Sequence, residues 1–146
     1  MSNPTVSVII PVYNAQDTIE QTVHSVTSQS YQNLEVILVN DGSTDNSLKI
    51  IQDFKNEYEN KLNITIIDQK NAGVGVARNV GVQHAQGKYL GFLDPDDLFS
   101  SKFVIDILNI LKNYEVDIVQ YEADRFFESI QDSRKITKQL RPDGLF

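Results

Sequence analysis

The sequence predicts an α/β domain built on a mainly parallel sheet, and three observations predict it. Short apolar runs rich in β-branched residues recur along the chain. Each is followed by a segment whose apolar residues fall at helical spacing, so strands and helices alternate. The strands end in clusters of Asp, Asn, Gly and Pro, residues that turn a chain and carry chemistry.

Residues Thr5 to Ile10 read as a buried strand through Val6, Val8, Ile9 and Ile10, and Pro11 is expected to end it. Pro11-Val12-Tyr13-Asn14 then reads as a loop. From Ala15 to about Gln29, Ile19, Val23 and Val26 share one helical face, and Asp17 and Glu20 sit near the start, where the helix dipole favours negative charge. Leu34 to Val39 is a second strand, ending in Asn40-Asp41-Gly42-Ser43-Thr44-Asp45. Ser43 or Thr44 is the expected cap of a second helix, from about Asp45 to Tyr58, with Leu48, Ile51 and Phe54 inward.

Asn63 to Asp68 is a third strand, and Asn71-Ala72-Gly73-Val74-Gly75 leads into a third helix from about Val76 to Ala85, stopped by Gly87. Tyr89 to Leu93 is the fourth strand. Ser100 or Ser101 is the expected cap of a helix from Lys102 to about Asn113, with Val104, Ile107, Leu108 and Leu111 on its apolar face. Val116 to Tyr121 reads as a fifth strand, and beyond Ala123 the pattern weakens into the mixed-charge segment Asp132 to Arg141.

Composition bounds the function. A chain of 146 residues is one domain by length and can bury a core. With 20 acidic against 13 basic residues the net charge is -7, which argues against nucleic acid as a partner and means that a polyphosphate ligand needs help from a cation. There is no cysteine, so neither disulfides nor thiolate metal sites hold the fold. His24 and His84 are too few and too far apart to suggest a zinc site. The apolar run Val6 to Val12, broken by Ser7 and Pro11, is far short of a membrane span, and the chain reads as cytoplasmic.

The polar clusters converge. In a parallel sheet, ligands sit beyond the carboxyl ends of the strands, and Tyr13-Asn14, Asp41-Gly42-Ser43 and Asp94 to Asp97 all follow strands. The stretch Tyr89-Leu90-Gly91-Phe92-Leu93-Asp94-Pro95-Asp96-Asp97 closes with three carboxylates around a proline. At the tip of a buried strand they point into one cleft, where Mg2+ or Mn2+ would offset their repulsion. The plainer reading is an acidic turn with Asp97 capping the next helix. Asp41 can accept hydrogen bonds from a base or sugar, or serve only a local Asp-Gly turn. Tyr13 can stack on a base or be a half-buried loop aromatic. Arg78 is a natural partner for a diphosphate or for the carboxylates, or else makes a surface salt bridge. Gly73-Val74-Gly75 lacks the third glycine of a dinucleotide fingerprint, since Arg78 stands there, and it follows the third strand rather than the first.

Taken together, Val8-Ile9-Ile10-Pro11-Val12-Tyr13-Asn14, Val39-Asn40-Asp41-Gly42-Ser43-Thr44-Asp45, Asn71-Ala72-Gly73 with Ala77-Arg78-Asn79, and Phe92-Leu93-Asp94-Pro95-Asp96-Asp97 resemble the signature blocks of family 2 glycosyltransferases, in order and spacing. The resemblance covers residues 5 to 100 and implies a GT-A fold, a Rossmann-like sheet flanked by helices, and an inverting transfer from a nucleotide-sugar donor, often a UDP-sugar. It implies that Pro11, Val12, Tyr13 and Asn14 line the nucleobase pocket, that Asp41 with Gly42 meets the base, and that Arg78 lies near base and phosphates. Asp94-Pro95-Asp96 takes the place of the family's Asp-x-Asp motif, with Asp94 facing ribose and metal-bound water and Asp96 binding Mn2+ or Mg2+. The implied partners are the donor and a saccharide or lipid-linked saccharide acceptor. The implied setting is surface polysaccharide synthesis, with the full-length protein peripheral to the inner face of the membrane.

On this reading residues 1–122 form a nucleotide-sugar-binding domain and residues 123–146 begin an acceptor-side region. The chain departs from the family in length, as if truncated: the general base of such enzymes lies in the later half, beyond Phe146. Glu122 and Asp124 follow the fifth predicted strand, but their context does not match the family's base motif, and no base is assigned. Two other functions compete. One is a nucleotide-sugar-binding module without turnover. The other is a nucleotidyltransferase, which would show a glycine- and basic-rich loop after the first strand, where Pro11 to Asn14 has neither.

Overall fold

A computed structural model describes residues 5–121. The elements run β1 (Val6–Val12), α1 (Ile19–Thr27), β2 (Leu34–Asp41), α2 (Ser47–Tyr58), β3 (Asn63–Gln69), α3 (Val74–His84), β4 (Tyr89–Phe92) and α4 (Phe103–Tyr114). The four strands form one parallel sheet in the order β3-β2-β1-β4. Every residue of β1 and β2 is buried. Such strands carry apolar side chains on both faces, which is why they read as continuous runs rather than alternations.

The alternation of side chains sorts the core into two layers. Val8, Ile10 and Val12 of β1 and Val36 and Leu38 of β2 pack with Ile19, Val23 and Val26 of α1 and Ile51 and Phe54 of α2. On the opposite face Ile9, Ile37 and Val39 pack with Ala77 of α3. The chain divides into two units, Met1–Leu108 and Asn109–Phe146. The described part of the second holds the last turns of α4 and an irregular run to Tyr121.

Four expectations are corrected. Pro11 does not end the first strand but sits inside it, in register with Val39. The carbonyls of Thr5 and Ile9 accept from the amides of Tyr89 and Leu93, so the odd positions of this strand turn their main-chain groups toward β4. That ladder ends at the pair Ile9–Phe92, and Pro11 is the next odd position beyond it, so its missing amide costs no bond.

Val116 to Tyr121 forms no strand. β-branched character alone does not make a strand, and Val116, Ile118 and Tyr121 are exposed.

The cap of α2 is neither Ser43 nor Thr44. Its N-cap is Asn46, and Asp45 Oδ1 accepts from the Ser47 amide at 2.9 Å. α4 begins at Phe103, which puts Lys102 rather than Ser100 or Ser101 at its N-cap position; the Val104 amide donates to Gln29 Oε1 at 3.0 Å. The proposed cleft acids Glu122 and Asp124, the segment Asp132 to Arg141 and all of residues 123–146 lie outside the described residues.

Candidate functional site

Strand order locates the site. From β1 the chain moves outward through β2 to β3 on one side, then crosses back to place β4 on the other side. The loops leaving the neighbouring strands β1 and β4 lie side by side at their carboxyl ends, where ligands sit in parallel sheets, and frame a crevice. A cavity of about 290 Å³ lies there, lined by Tyr13, Asn14, Ala15, Asp17, Thr18, Pro95 and Asp96. Tyr13 is 51% exposed, so its ring is free to meet a ligand.

The acidic turn forms one wall. Asp97 donates its amide to the Asp94 carbonyl at 3.1 Å, which makes Asp94-Pro95-Asp96-Asp97 a β-turn with proline in the second position, where its fixed φ fits. The helix-capping alternative for Asp97 is not realised, because α4 begins at Phe103. Arg78 Nη2 donates to Asp94 Oδ1 at 2.6 Å. Both side chains are over a third exposed, so the pair orients groups more than it stabilises the fold. The Nε of Arg78 is buried without a partner among the described residues, beside a cavity of about 410 Å³ lined by Gly75, Arg78, Asn79 and Phe92.

Partial burial raises the pKa of Asp97, and the negative charges of Asp96 and Asp94 raise it further. Three carboxylates around one turn thus leave negative charge uncompensated, with Arg78 taking up only Asp94. Among the described residues no three acidic, His or Cys side chains converge as a metal cage. Asp96 is exposed at the cavity rim. That donor set fits an ion such as Mg2+ or Mn2+, which uses one or two carboxylates and completes its shell with waters and phosphate oxygens.

The other loops are tied by reciprocal bonds. Asn14, with φ of 46°, accepts at Oδ1 from the Thr44 amide at 2.8 Å, while its own amide donates to Ser43 Oγ at 3.1 Å. Ala15 and Gln16 donate their amides to Ser47 Oγ and Asp45 Oδ2. Burial pushes the Asp45 pKa up, but bonds from Ser47 and Gln16 outweigh it and hold the group below the usual range.

Asp41 closes the buried end of β2. Its Oδ1 accepts from Gln69 Nε2 and the Ala72 amide, both at 2.8 Å, and its Oδ2 from the Gly73 amide at 2.9 Å. Burial raises its pKa, and these three bonds more than reverse the rise. The turn that follows needs glycine: Gly42 has φ of +72°, and a Cβ there would lie 2.7 Å from the Asn71 amide nitrogen.

The sequence-predicted site residues thus divide. Tyr13, Asn14 and Asp96 line the cavity, while Asp94 opens the same turn as Asp96 and is bonded by Arg78. Asp41 and Gly42 hold the loop that leads into α3. Pro11 and Val12 are buried in β1 and do not line the cavity. Sequence reasoning missed Thr18 and Thr22. Both donate to the Pro95 carbonyl at 2.9 Å, and their signal was a polar i, i+4 pair on a helix searched only for apolar spacing.

The profile of glycosyl transferase family 2 matches residues 7–144. The chain is 39% identical over 117 residues to the minor teichoic acid biosynthesis protein GgaB of Bacillus subtilis, covering 77% of this chain and 13% of that one. The structure of S. aureus TarS 1-349 with UDP-GlcNAc superposes with a TM-score of 0.69 and 32% identity, over 75% of this chain and 32% of that one. The mannosyltransferase PcManGT of Pyrobaculum calidifontis, solved with GDP-Man and Mn2+, superposes with a TM-score of 0.70 and 27% identity, over 77% and 33% of the two chains. The chain spans between 13% and 46% of the length of the curated relatives it matches. The GT-A fold implied by the resemblance is the one shared with these solved structures.

Proposed function

The chain belongs to glycosyl transferase family 2, and from that premise we propose that it forms the donor-binding portion of an inverting glycosyltransferase. The donor is a nucleoside-diphosphate sugar, with a UDP-sugar the first candidate, and the acceptor is a saccharide or lipid-linked saccharide hydroxyl. The setting is cell-surface polysaccharide synthesis, a reading supported by the teichoic acid relative. No helix among the described residues is long and apolar enough to cross a membrane, so membrane contact through this part would be peripheral.

One observation carries the reading: the Asp94–Asp97 turn and the Tyr13 loop meet across the crevice between β1 and β4. Tyr13 would stack on the base, with Asn14 shaping the pocket and Pro11 and Val12 supporting it from within β1. Asp41 would offer its remaining acceptor capacity to the base from a carboxylate held by the loop before α3. Asp94, oriented by Arg78, would meet the ribose or a metal-bound water. Asp96, with Asp94, would hold Mg2+ or Mn2+. The ion would supply charge neutralisation on the departing diphosphate. A general base removes the acceptor proton as the hydroxyl attacks the anomeric carbon; none is assigned among the described residues.

Calorimetric titration with UDP, GDP and TDP, each with and without Mn2+, tests this. One nucleotide is expected to bind in a Mn2+-dependent way, and Asp96→Ala is expected to lose the metal-dependent part of the affinity while the protein stays folded. Absence of binding to any nucleotide by a folded sample refutes the donor site. Affinity unchanged in Asp96→Ala refutes the metal assignment alone.

A further inference from the structure

Helix α1 carries a polar stripe as well as an apolar one. Thr18, its N-cap residue, is followed at helical spacing by Thr22, Ser25 and, just past the helix end, Gln29. Every member meets the main chain of the acidic turn or of the segment that follows it. Thr18 and Thr22 donate to the Pro95 carbonyl, each at 2.9 Å. Ser25 Oγ accepts from the Phe99 amide at 3.1 Å, and Gln29 donates to the Ser100 carbonyl at 2.7 Å while accepting from the Val104 amide at 3.0 Å. Thr22 and Gln29 are buried almost completely.

The Pro95 carbonyl explains why two hydroxyls are needed. The internal bond of the turn joins Asp97 to Asp94 and leaves this carbonyl with no partner in the turn. A carbonyl has two lone pairs, and one left empty away from water is unfavourable. Each threonine also lies near a second carbonyl, Thr18 that of Ala15 at 3.5 Å and Thr22 that of Thr18 at 3.3 Å; the shorter contacts are to Pro95. Shape alone would be met by valine. The hydroxyls are required only by Pro95, which separates Asp94 from Asp96.

We propose that Thr18 and Thr22 are positioning residues of the donor site, whose paired hydroxyls fix Pro95 and so aim Asp94 and Asp96 at the metal and diphosphate. The inference rests on the donor-site reading above. It assigns α1 a second task besides filling the core: registering the acidic turn against the Tyr13 loop, which enters the same helix. Groups that orient metal ligands in this way typically change metal affinity by roughly 10- to 100-fold when removed.

The test is T22V, a change at a residue with no exposed surface, with T22S and the double variant T18V/T22V beside it. Each is titrated with UDP and GDP with and without Mn2+, Mn2+ binding is followed by electron paramagnetic resonance, and melting curves report the fold. T22V is expected to lower the Mn2+-dependent affinity about tenfold, with metal-free affinity little changed. T22S restores the hydroxyl and the affinity, and T18V/T22V deepens the loss. Equal Mn2+ dependence in the unsubstituted and double-valine proteins overturns the proposal. So does an equal loss with and without metal, which marks a merely structural role. Should T22V not fold, T18V carries the same comparison. No nucleotide binding by the unsubstituted protein refutes the donor site itself, and this proposal with it.

Discussion

At the scale of single residues, Asp41 shows how a buried carboxylate can hold a loop in place. Three donors converge on it, one from the end of β3 and two from the loop that follows. Asn in its place would keep one acceptor oxygen and turn an amide group toward a main-chain N–H. D41N is therefore expected to cost about 1–3 kcal/mol at neutral pH, measured by urea denaturation. The pH dependence follows from the lowered pKa in the folded protein. Such a group contributes fully above the pKa of the unfolded chain, about 3.9, and its contribution is lost as pH falls through the folded value. Acidification below about pH 4 should then destabilise the unsubstituted protein more than D41N; equal acid sensitivity would remove Asp41 from the account. Asp41 was legible as a strand-end acid, because an Asp-Gly turn has a sequence signature. Its partners were not, since the Ala72 and Gly73 donors are backbone amides, and a backbone amide looks the same in every residue.

At the scale of elements, the end of the sheet opposite the crevice is bolted by a buried acid. Glu35 Oε1 accepts from Ser7 Oγ at 2.5 Å and from the Gln86 amide at 2.6 Å, and Ser7 Oγ accepts from the Gly87 amide at 2.8 Å. One carboxylate thereby joins β1, β2 and the turn between α3 and β4. E35L would strand the buried Ser7 hydroxyl and the Gln86 amide and is expected to cost about 3 kcal/mol, whereas E35Q keeps an acceptor oxygen and should cost about 1 kcal/mol. Urea midpoints compare them, and equal losses would argue that the acceptor is dispensable. Gly87 belongs to the same bolt: a Cβ there would lie 2.5 Å from Ser7 Oγ and 2.6 Å from the Ser7 amide. G87A should lower the melting temperature by an amount corresponding to about 1–3 kcal/mol. The β-branched runs of β1 and β2 made those strands legible, because burial on both faces leaves no ambiguity about type. What could not be read is pairing. Pro11 was judged by its missing amide without knowing which neighbour that amide would have faced, and Val116–Tyr121 was judged by residue type without knowing whether a strand lay beside it.

At the scale of the whole molecule, charge and topology pull against each other. The parallel sheet gathers the turn carboxylates at one edge of a chain already at net charge -7, while the ligand proposed for that edge is itself a polyanion. Without divalent metal, affinity for a nucleoside diphosphate is therefore expected to rise as ionic strength increases from about 0.01 M to about 0.1 M, which shortens the screening length from about 30 Å to about 10 Å. Falling affinity in the same calorimetric series would show that the local field of Arg78 outweighs that of the chain as a whole. The crevice was legible at this scale because carboxyl-end clustering follows from strand-helix alternation alone. The hold that α1 exerts on residues 95–104 was not, since it needs the fold to bring them together. That hold has an evolutionary corollary. The helix's polar stripe meets peptide groups, so its hydrogen bonds are indifferent to the letters spelled by the exposed residues Asp97, Ser100, Ser101 and Lys102. A lineage could rewrite those positions, and with them whatever they touch, while inheriting the turn unmoved.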